Sequence, residues 1–435
     1  MPPNQSPLNF FTSTSAYSRL SWPHYDLGFA SGIAIFFGGE AAVSTLALQP
    51  LYGRTGIWHG WYNTPGCHTI AWEMVRTLLR GPFSSYSERL TLSLGLDGKK
   101  GPKYIASHSG TVMQHTRHLA YVLDKSDCRS MGCEPVDVGQ RHSPTPMQLI
   151  IMDFKNTVLT GDDTLPPRSS RYSSLPIIAS IASIGACATC AHVEDWSSFV
   201  MILLGMISSG ITSFIMSTGS VTLERLQPAD GVPPGDGMLL SDNRIVILRG
   251  NEEDVNAVTK GKLRLKIKGG GYTLLFCASI ALLQVTLQLI YMPSGSPTGQ
   301  LMFLLSLLVS GGCNLYLSAK EDDVQSSALI TLLNTPEVKT YQTNSRTTAA
   351  VLACLALCWK SSMPATQVLQ QIVPIGPRPW EALSEILVEN ITSRSEGFRY
   401  WLRNDLSDQE KQLLTELIGD AHAAYDQYIQ DYGGR

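Results

Sequence analysis

Four apolar stretches that contain no Asp, Glu, Lys or Arg constrain the fold of this chain most strongly. They are Leu175–Val193, Phe199–Ser217, Tyr272–Met292 and Leu301–Leu317. An α-helix rises about 1.5 Å per residue, so roughly 20 apolar residues cross the ~30 Å hydrocarbon core of a bilayer. One charge near the centre of such a helix would cost roughly 2.5–3.5 kcal/mol. The sequence therefore predicts four membrane-spanning helices in two hairpins, residues 175–217 and 272–317.

The distribution of Lys and Arg predicts how these helices are oriented. The loops His192–Trp196 and Pro293–Gly299 carry none, whereas the insert 218–271 between the hairpins carries eight. Basic residues are retained on the cytoplasmic side of a membrane. We therefore expect a multi-pass protein whose insert and C-terminal region, residues 318–435, are cytoplasmic.

Composition excludes several classes of protein. Of the 435 residues 16% are charged, which is well below the roughly 25% of soluble domains. The net charge of −3 gives no reason to expect a nucleic acid as a partner. The nine cysteines are scattered, so we expect no disulfide framework.

The N-terminal part allows more than one interpretation. Residues 1–26 are polar and proline-rich, and we interpret them as a flexible tail. Residues 27–49 are apolar but contain Glu40, and a carboxylate inside a bilayer is costly unless it is paired or neutral. This segment is therefore a fifth span, a re-entrant piece or a helix packed on the bundle, and Glu40 is a candidate for handling ions or protons.

Residues 50–174 are predicted to be a cytoplasmic region of mixed structure that ends in a linker. Helical periodicity favours an amphipathic helix at His68–Leu79, and shorter helices are expected at Ser87–Leu94 and Thr111–Leu123. The apolar run Met147–Phe154 is typical of a buried strand.

Three histidines form the pattern in this region that most suggests a chemical function. His108, His115 and His118 are spaced at i, i+7 and i+10, so a continuous helix would place them on one face. They are candidate metal ligands, although neutral histidines with no metal are the commoner outcome of such spacing. No catalytic motif and no cofactor-binding motif is recognisable elsewhere.

The predicted spans also contain polar groups. Gln284 and Gln288 are one turn apart on the third span, and Asn314 is on the fourth. Amides in a bilayer hydrogen-bond across helices, so these residues are either interhelical contacts or the lining of a pathway. Small residues form one face of the second span, which suits close contact with a helix. They are Gly205, Ser209, Gly210 and Ser213.

The insert and the C-terminal region have clear local signals. Within 218–271 the order of apolar runs and turns predicts a compact ββαβ unit with a basic edge, which either contacts anionic lipid or is simply solvated. Helices are expected throughout 318–435, and Ser407 followed by Glu410 is a capping box.

Three parts of the chain resemble a known family. They are the insert "PPGDGMLLSDNRIVILRGNEEDVNAVTKGKLRLKI", its flanking span pairs and the ending "FRYWLRNDLSDQEKQLLTELIGDAHAAYDQY". Over about residues 175–428 the chain resembles an uncharacterised family of multi-pass membrane proteins from mushroom-forming (basidiomycete) fungi. The resemblance implies a shared architecture, and it implies no activity, substrate or site residue.

The sequence thus predicts a mainly α integral membrane bundle of four or five spans, with a small ββαβ cytoplasmic insert and a helical C-terminal domain. Three functions remain open. The first, which the sequence favours because catalytic motifs are lacking, is a non-enzymatic membrane scaffold or regulatory component, and the other two are alternatives to it. The second is a transporter or channel that uses Gln284, Gln288 and Asn314, or Glu40. The third is a metal-dependent enzyme that uses His108, His115 and His118. The expected partners are the lipid bilayer and a second copy or another membrane protein, and no cofactor is expected.

Overall fold

The computed structural model describes most of the chain. The described residues are 31–53, 59–82, 86–126, 133–139, 146–154, 164–165, 175–333, 336–358, 365–373, 377–393 and 397–432. The helices are α1 Gly39–Tyr52, α2 Cys67–Leu79, α3 Tyr86–Ser93, α4 His118–Lys125, α5 Leu175–His192, α6 Trp196–Ser217, α7 Glu252–Lys260, α8 Gly270–Tyr291, α9 Pro297–Ser318, α10 Glu321–Leu332, α11 Arg346–Cys358, α12 Ala365–Ile372, α13 Arg378–Ser393 and α14 Asp408–Tyr432. The strands are β1 Lys103–Ala106, β2 Val112–Met113, β3 Val136–Val138, β4 Met147–Asp153, β5 Ser220–Glu224, β6 Gly237–Leu240, β7 Arg244–Arg249, β8 Lys262–Lys266 and β9 Glu337–Thr343.

Helices α5, α6, α8 and α9 are long and apolar enough to cross a membrane, which confirms the four predicted helices. Within their most apolar 18-residue windows, between 33% and 44% of the residues are buried. The rest of their surface is apolar and faces outward, as at Ile181 and Leu308, which are 64% and 73% exposed. An apolar surface of this extent suits contact with lipid rather than with water.

Helices α1 and α2 complete the bundle, although neither is long enough to cross a membrane. α1 packs against α6 and α9, and α2 runs along α8. The stretch 27–49 is therefore not one straight span: in its described part a helical turn at 31–34 is followed by turns at 35–38, and α1 begins after Gly38. Gly38 has a φ of 75°, which favours glycine and breaks the helix.

Beside the bundle lies a seven-stranded mixed sheet of order β2-β1-β6-β7-β4-β9-β3. The pairs β4–β7 and β3–β9 are parallel, and the other neighbours are antiparallel. Its central strands alternate between two cores. Ile150 and Val246 face a core shared with α1–α4 and the adjoining ends of the long apolar helices, and Ile151 and Ile247 face helices α11–α14. The sheet is therefore buried on both faces.

The insert does not form the separate ββαβ unit that its sequence suggests. Strands β6 and β7 belong to the seven-stranded sheet, whereas β8 pairs with β5 in a two-stranded ribbon. The reason is physical: the β6–β7 hairpin has two open edges, and β1 and β4 from earlier in the chain pair with them. The insert is thus structurally continuous with its neighbours.

Several local predictions can be compared with the structure. Strand Met147–Asp153, helix Cys67–Leu79 and the capping box are confirmed: Ser407 N–H donates to Glu410 Oε2 at 2.9 Å. The helix predicted at Thr111–Leu123 begins only at His118. Before it, Val112 and Met113 pair with β1, because β-branched residues suit a hairpin that closes at Gly110, whose φ is 66°. Strand β9 was missed within the region predicted to be helical.

Candidate functional site

The most unusual feature of the bundle is a non-helical stretch at its centre, residues 59–66, which we call the core segment. It joins the region after α1 to the start of α2. Asn63 N–H donates to Ser183 Oγ at 3.1 Å, and the Thr64 and Ser209 hydroxyls are 2.6 Å apart. Ser183 is in the middle of α5. The core segment therefore reaches the level at which the four long helices would cross the centre of a bilayer.

Small residues of α6 make room for this segment. A Cβ added to Gly205 would overlap Asn63 Oδ1, and one added to Gly210 would overlap the ring of Trp61. The face of α6 that the sequence identified as a helix contact thus holds a stretch of irregular chain. Gly205 and Gly210 are needed because any side chain would push the core segment out of place.

Amide side chains fix Asn63 from the other side. Gln288 Nε2 donates to Asn63 Oδ1 at 3.3 Å and to the Met201 carbonyl at 3.1 Å. Gln284 Nε2 donates to Gln288 Oε1 at 3.3 Å. Both glutamines are 1% exposed, so the paired amides offset the cost of burying them.

A second set of hydrogen bonds anchors the core segment to α9. The Tyr62 hydroxyl donates to Asn314 Oδ1 at 2.6 Å, and the Thr45 hydroxyl of α1 donates to the Asn314 carbonyl at 3.3 Å. Gln284, Gln288 and Asn314, which the sequence singled out, are therefore brought into one polar core. Tyr62, Asn63 and Thr64 were missed, although the Asn-Thr-Pro-Gly turn residues at 63–66 were a signal for irregular chain.

Two helices begin next to each other in this core. Gly38 and Gly66 precede α1 and α2 with φ of 75° and 74°. Gly66 N–H donates to the Ile35 carbonyl at 2.9 Å, so the two starts are adjacent. Helix N-termini carry a partial positive charge and free N–H groups. Breaks in helices at bilayer depth occur where the chain is buried in protein or lines a cavity.

A cavity of about 20 Å³ lies between the core segment and α1, α6, α8 and α9. Its polar lining includes Thr45, Gln49, Tyr62, Thr64, Ser208, Ser209, Thr212, Ser213, Gln284 and Asn314. Within the described chain, Gln49 Oε1 and Asn314 Nδ2 are buried without a hydrogen-bond partner. One is an acceptor and the other a donor, so the cavity offers a polar molecule both kinds of hydrogen bond.

Glu40 does not belong to this cavity. It is exposed in the first turn of α1, whereas the cavity-facing residues of that helix are Ala42, Thr45, Leu46 and Gln49. A carboxylate near a helix N-terminus is favoured by the helix dipole.

The three candidate histidines are on different elements. His108 Nε2 is 3.4 Å from Asp236 Oδ2, His115 is exposed, and His118 Nε2 is 2.9 Å from Gln325 Oε1. They do not share a helix face because α4 begins only at His118. Over the ranges that the structure describes, no three His, Cys, Asp or Glu side chains are grouped to hold a metal ion.

His118 instead belongs to a buried chain at the junction of bundle and sheet. Gln325 Nε2 donates to Glu321 Oε1 at 2.8 Å while its oxygen faces His118. Burial raises the pKa of Glu321 and lowers the pKa of His118. Both shifts favour the neutral form of a side chain that is removed from water.

At the opposite end of the bundle, Asp195 joins the two short loops. Its carboxylate accepts hydrogen bonds from Ser198, at the start of α6, and from Ser296, which caps α9. Burial by itself would raise the pKa of Asp195, but the hydrogen bonds from Ser296 and Ser198 outweigh it and leave that pKa below its ordinary value.

No protein-family model, no curated protein and no solved structure matches this chain.

Proposed function

We propose that this protein is a multi-pass integral membrane protein that binds a small uncharged polar molecule in the cavity beside the core segment and passes it across the bilayer. The observation that carries the proposal is the core segment itself. Irregular chain at the depth of the bilayer centre leaves backbone groups without helical partners, which is costly unless that chain is buried in protein or lines a cavity, and the core segment does both. Broken helices around a central site are typical of membrane transport proteins.

The lining of the cavity supports the choice of an uncharged molecule. The described residues that line it include hydroxyls and amides but no Asp, Glu, Lys, Arg or His. An ion placed there would lose its hydration without meeting an opposite charge. A neutral molecule with a donor and an acceptor would instead pair with Gln49 Oε1 and Asn314 Nδ2.

The size of the cavity indicates that passage requires a second conformation. About 20 Å³ holds roughly one water molecule, so a larger solute does not fit through the cavity in this conformation. Helices α1 and α2, which do not cross the bilayer, are the elements whose movement would open it. As part of the same proposal, the sheet faces the cytoplasm, because the basic insert lies on that side.

A scaffold or regulatory function is the second candidate. It is favoured by the extent to which the polar side chains bind each other: Tyr62 is paired with Asn314, and Gln288 with Asn63. In this case the polar core would hold the bundle together, and the sheet with helices α11–α14 would contact another protein.

Permeability of proteoliposomes separates the two candidates. Vesicles with the full-length protein are compared with empty vesicles for the uptake of water, urea and glycerol. Gln49→Leu removes an unpartnered acceptor from the cavity, and losing one such hydrogen bond costs about 1–3 kcal/mol, so we expect permeability to fall roughly 5- to 150-fold.

Ser310→Ala is the matched control. Ser310 is fully buried on α9 and its hydroxyl has no partner in the described chain, but it does not line the cavity. We expect this variant to keep wild-type permeability. Wild-type vesicles that are no more permeable than empty ones would contradict transport and leave the scaffold function.

A further inference from the structure

The ribbon β5–β8 extends two long helices beyond the bundle. Strand β5 begins at Ser220, directly after α6, and β8 ends at Lys266, shortly before α8 begins at Gly270. Ser220 pairs with Lys266, and Glu224 pairs with Lys262. The Lys266 end of the ribbon is therefore next to the bundle. Because a strand rises about 3.3 Å per residue, Lys262 is roughly 13 Å farther along it.

Basic residues at the two ends of the ribbon have different surroundings. Away from the bundle, Arg264 Nη2 is 2.7 Å from Glu224 Oε2, and Lys262 Nζ is 3.2 Å from Glu88 Oε1. Next to the bundle, Lys266 and Lys268 are exposed, and no acidic partner for them is found in the described residues. Cations without acidic partners thus concentrate where α8 begins.

A third cation and two exposed apolar side chains are at the same level. The end of α2 and the start of α8 both contact α3. Arg89 Nε of α3 donates to the carbonyl of Thr77 on α2 at 2.8 Å. The Tyr86 hydroxyl of α3 donates to the carbonyl of Ile267, three residues before α8, at 3.2 Å.

Beside these contacts, the last residue of α2, Leu79, is 78% exposed, and Arg80 after it is exposed as well. Tyr272 on α8 is 79% exposed. Tyr side chains are favoured at the boundary between the acyl chains and the headgroups of a bilayer.

We propose that Arg80, Lys266 and Lys268 bind the phosphate of an anionic phospholipid in the leaflet nearest the sheet. Cations at headgroup level attract anionic lipid, while Leu79 and Tyr272 contact its acyl chains. The proposal rests on the membrane insertion proposed above, and it does not depend on transport through the cavity.

Lipid titration of the full-length protein in phosphatidylcholine nanodiscs tests this site. Short-chain phosphatidylglycerol is added, and bound lipid is counted by native mass spectrometry. A basic residue near the membrane surface contributes roughly 1 kcal/mol, or about 5-fold in affinity, so Lys266→Gln with Lys268→Gln should weaken binding roughly 30-fold. Arg80→Gln should weaken it a further ~5-fold.

The paired cations of the same ribbon provide the control. Lys262→Gln with Arg264→Gln removes the same charge but should change affinity less than 3-fold, because those side chains face Glu88 and Glu224. Equal losses in both double variants would overturn the site, as would unchanged binding in the Lys266 and Lys268 variant. Competition by millimolar inorganic phosphate would show a free-phosphate site and also overturn it. Failure of the wild-type protein to enter nanodiscs would instead contradict membrane insertion.

Discussion

The Asp195 carboxylate accepts two hydrogen bonds from Ser296, one from its backbone N–H at 2.7 Å and one from its hydroxyl at 2.6 Å. One side chain thereby caps α6 and fixes the start of α9. Hydrogen bonds to a charged group contribute roughly 1.5–3 kcal/mol. We expect Asp195→Asn to lower the melting temperature of the purified protein by several degrees, measured by thermal unfolding at pH 7.

The same hydrogen bonds predict that the contribution of Asp195 to stability depends on pH. Because the pKa of Asp195 is lower in the folded protein, the carboxylate contributes stability above its unfolded pKa, and that stability is lost as the pH falls through the folded pKa. The difference between wild type and Asp195→Asn should therefore shrink below about pH 4. Glu194→Gln, at an exposed neighbour, should match wild type throughout, and an equal loss in this variant would contradict the role of Asp195.

Contact with the core segment predicts that substitution of certain glycines of α6 lowers the stability of the protein. Gly210→Ala would place a methyl group in the Trp61 ring, and overpacking of this kind costs about 1–3 kcal/mol. We expect a lower melting temperature and poorer recovery of folded protein. Gly185→Ala on α5 is the control, since a Cβ there has no atom within 4 Å. If both variants were equally unstable, the contact between α6 and the core segment would not explain the effect.

The contribution of Glu321 to stability should depend on pH in the opposite direction to that of Asp195. Its pKa is raised in the folded protein, so its contribution is fully present below the unfolded value near 4.5 and is lost as the pH rises through the folded pKa. We expect Glu321→Gln to increase stability at pH 7–8 by roughly 1 kcal/mol and to flatten the decline above pH 4.5. Asp323, which pairs with Lys320 on the same helix and does not contribute to the shift of Glu321, gives the control Asp323→Asn, which should keep the wild-type slope. A steeper slope in Glu321→Gln would contradict the prediction.

The proposed orientation predicts which loops can be labelled in intact cells. Thr298→Cys places a thiol on the exposed first turn of α9, near Asp195, and Asp230→Cys places one in the exposed part of the insert. A membrane-impermeant maleimide should modify the first in intact cells and the second only after lysis. The reverse result would invert the orientation. The natural sequon at Asn390 cannot serve, because its side chain is 2% exposed and donates to the carbonyls of Ile386 and Arg399.

The long helices were predictable because their signal is local. Absence of charge over about 20 residues needs no knowledge of the rest of the chain, and α5, α6, α8 and α9 follow it closely. The capping box at Ser407 is local in the same sense. The sheet was harder to predict, because pairing of β4 with β7 and β9 joins residues far apart in sequence. The alternation of apolar and polar residues along a strand does not show which other strand it pairs with.

The candidate site, too, could be predicted from the sequence only in part. Gln284, Gln288 and Asn314 were recognisable because polar residues stand out within apolar helices. Their partners Tyr62 and Asn63 were not, because in isolation the core segment reads as an ordinary turn-rich loop. Only its position between the long apolar helices gives those side chains a role.

The strands of the seven-stranded sheet come from distant parts of the chain, and this has a consequence for biosynthesis. Strands β1–β4 precede the first long helix, β6 and β7 lie between the second and third, and β9 follows the fourth. Because β4 pairs with both β7 and β9, the sheet cannot be completed until all four long helices have been synthesised. Until the ribosome has released β9, one edge of β4 lacks its neighbour, which leaves an aggregation-prone edge exposed during translation. We therefore expect cellular folding of the sheet to be completed after insertion of the bundle, and chains that end before β9 to be degraded.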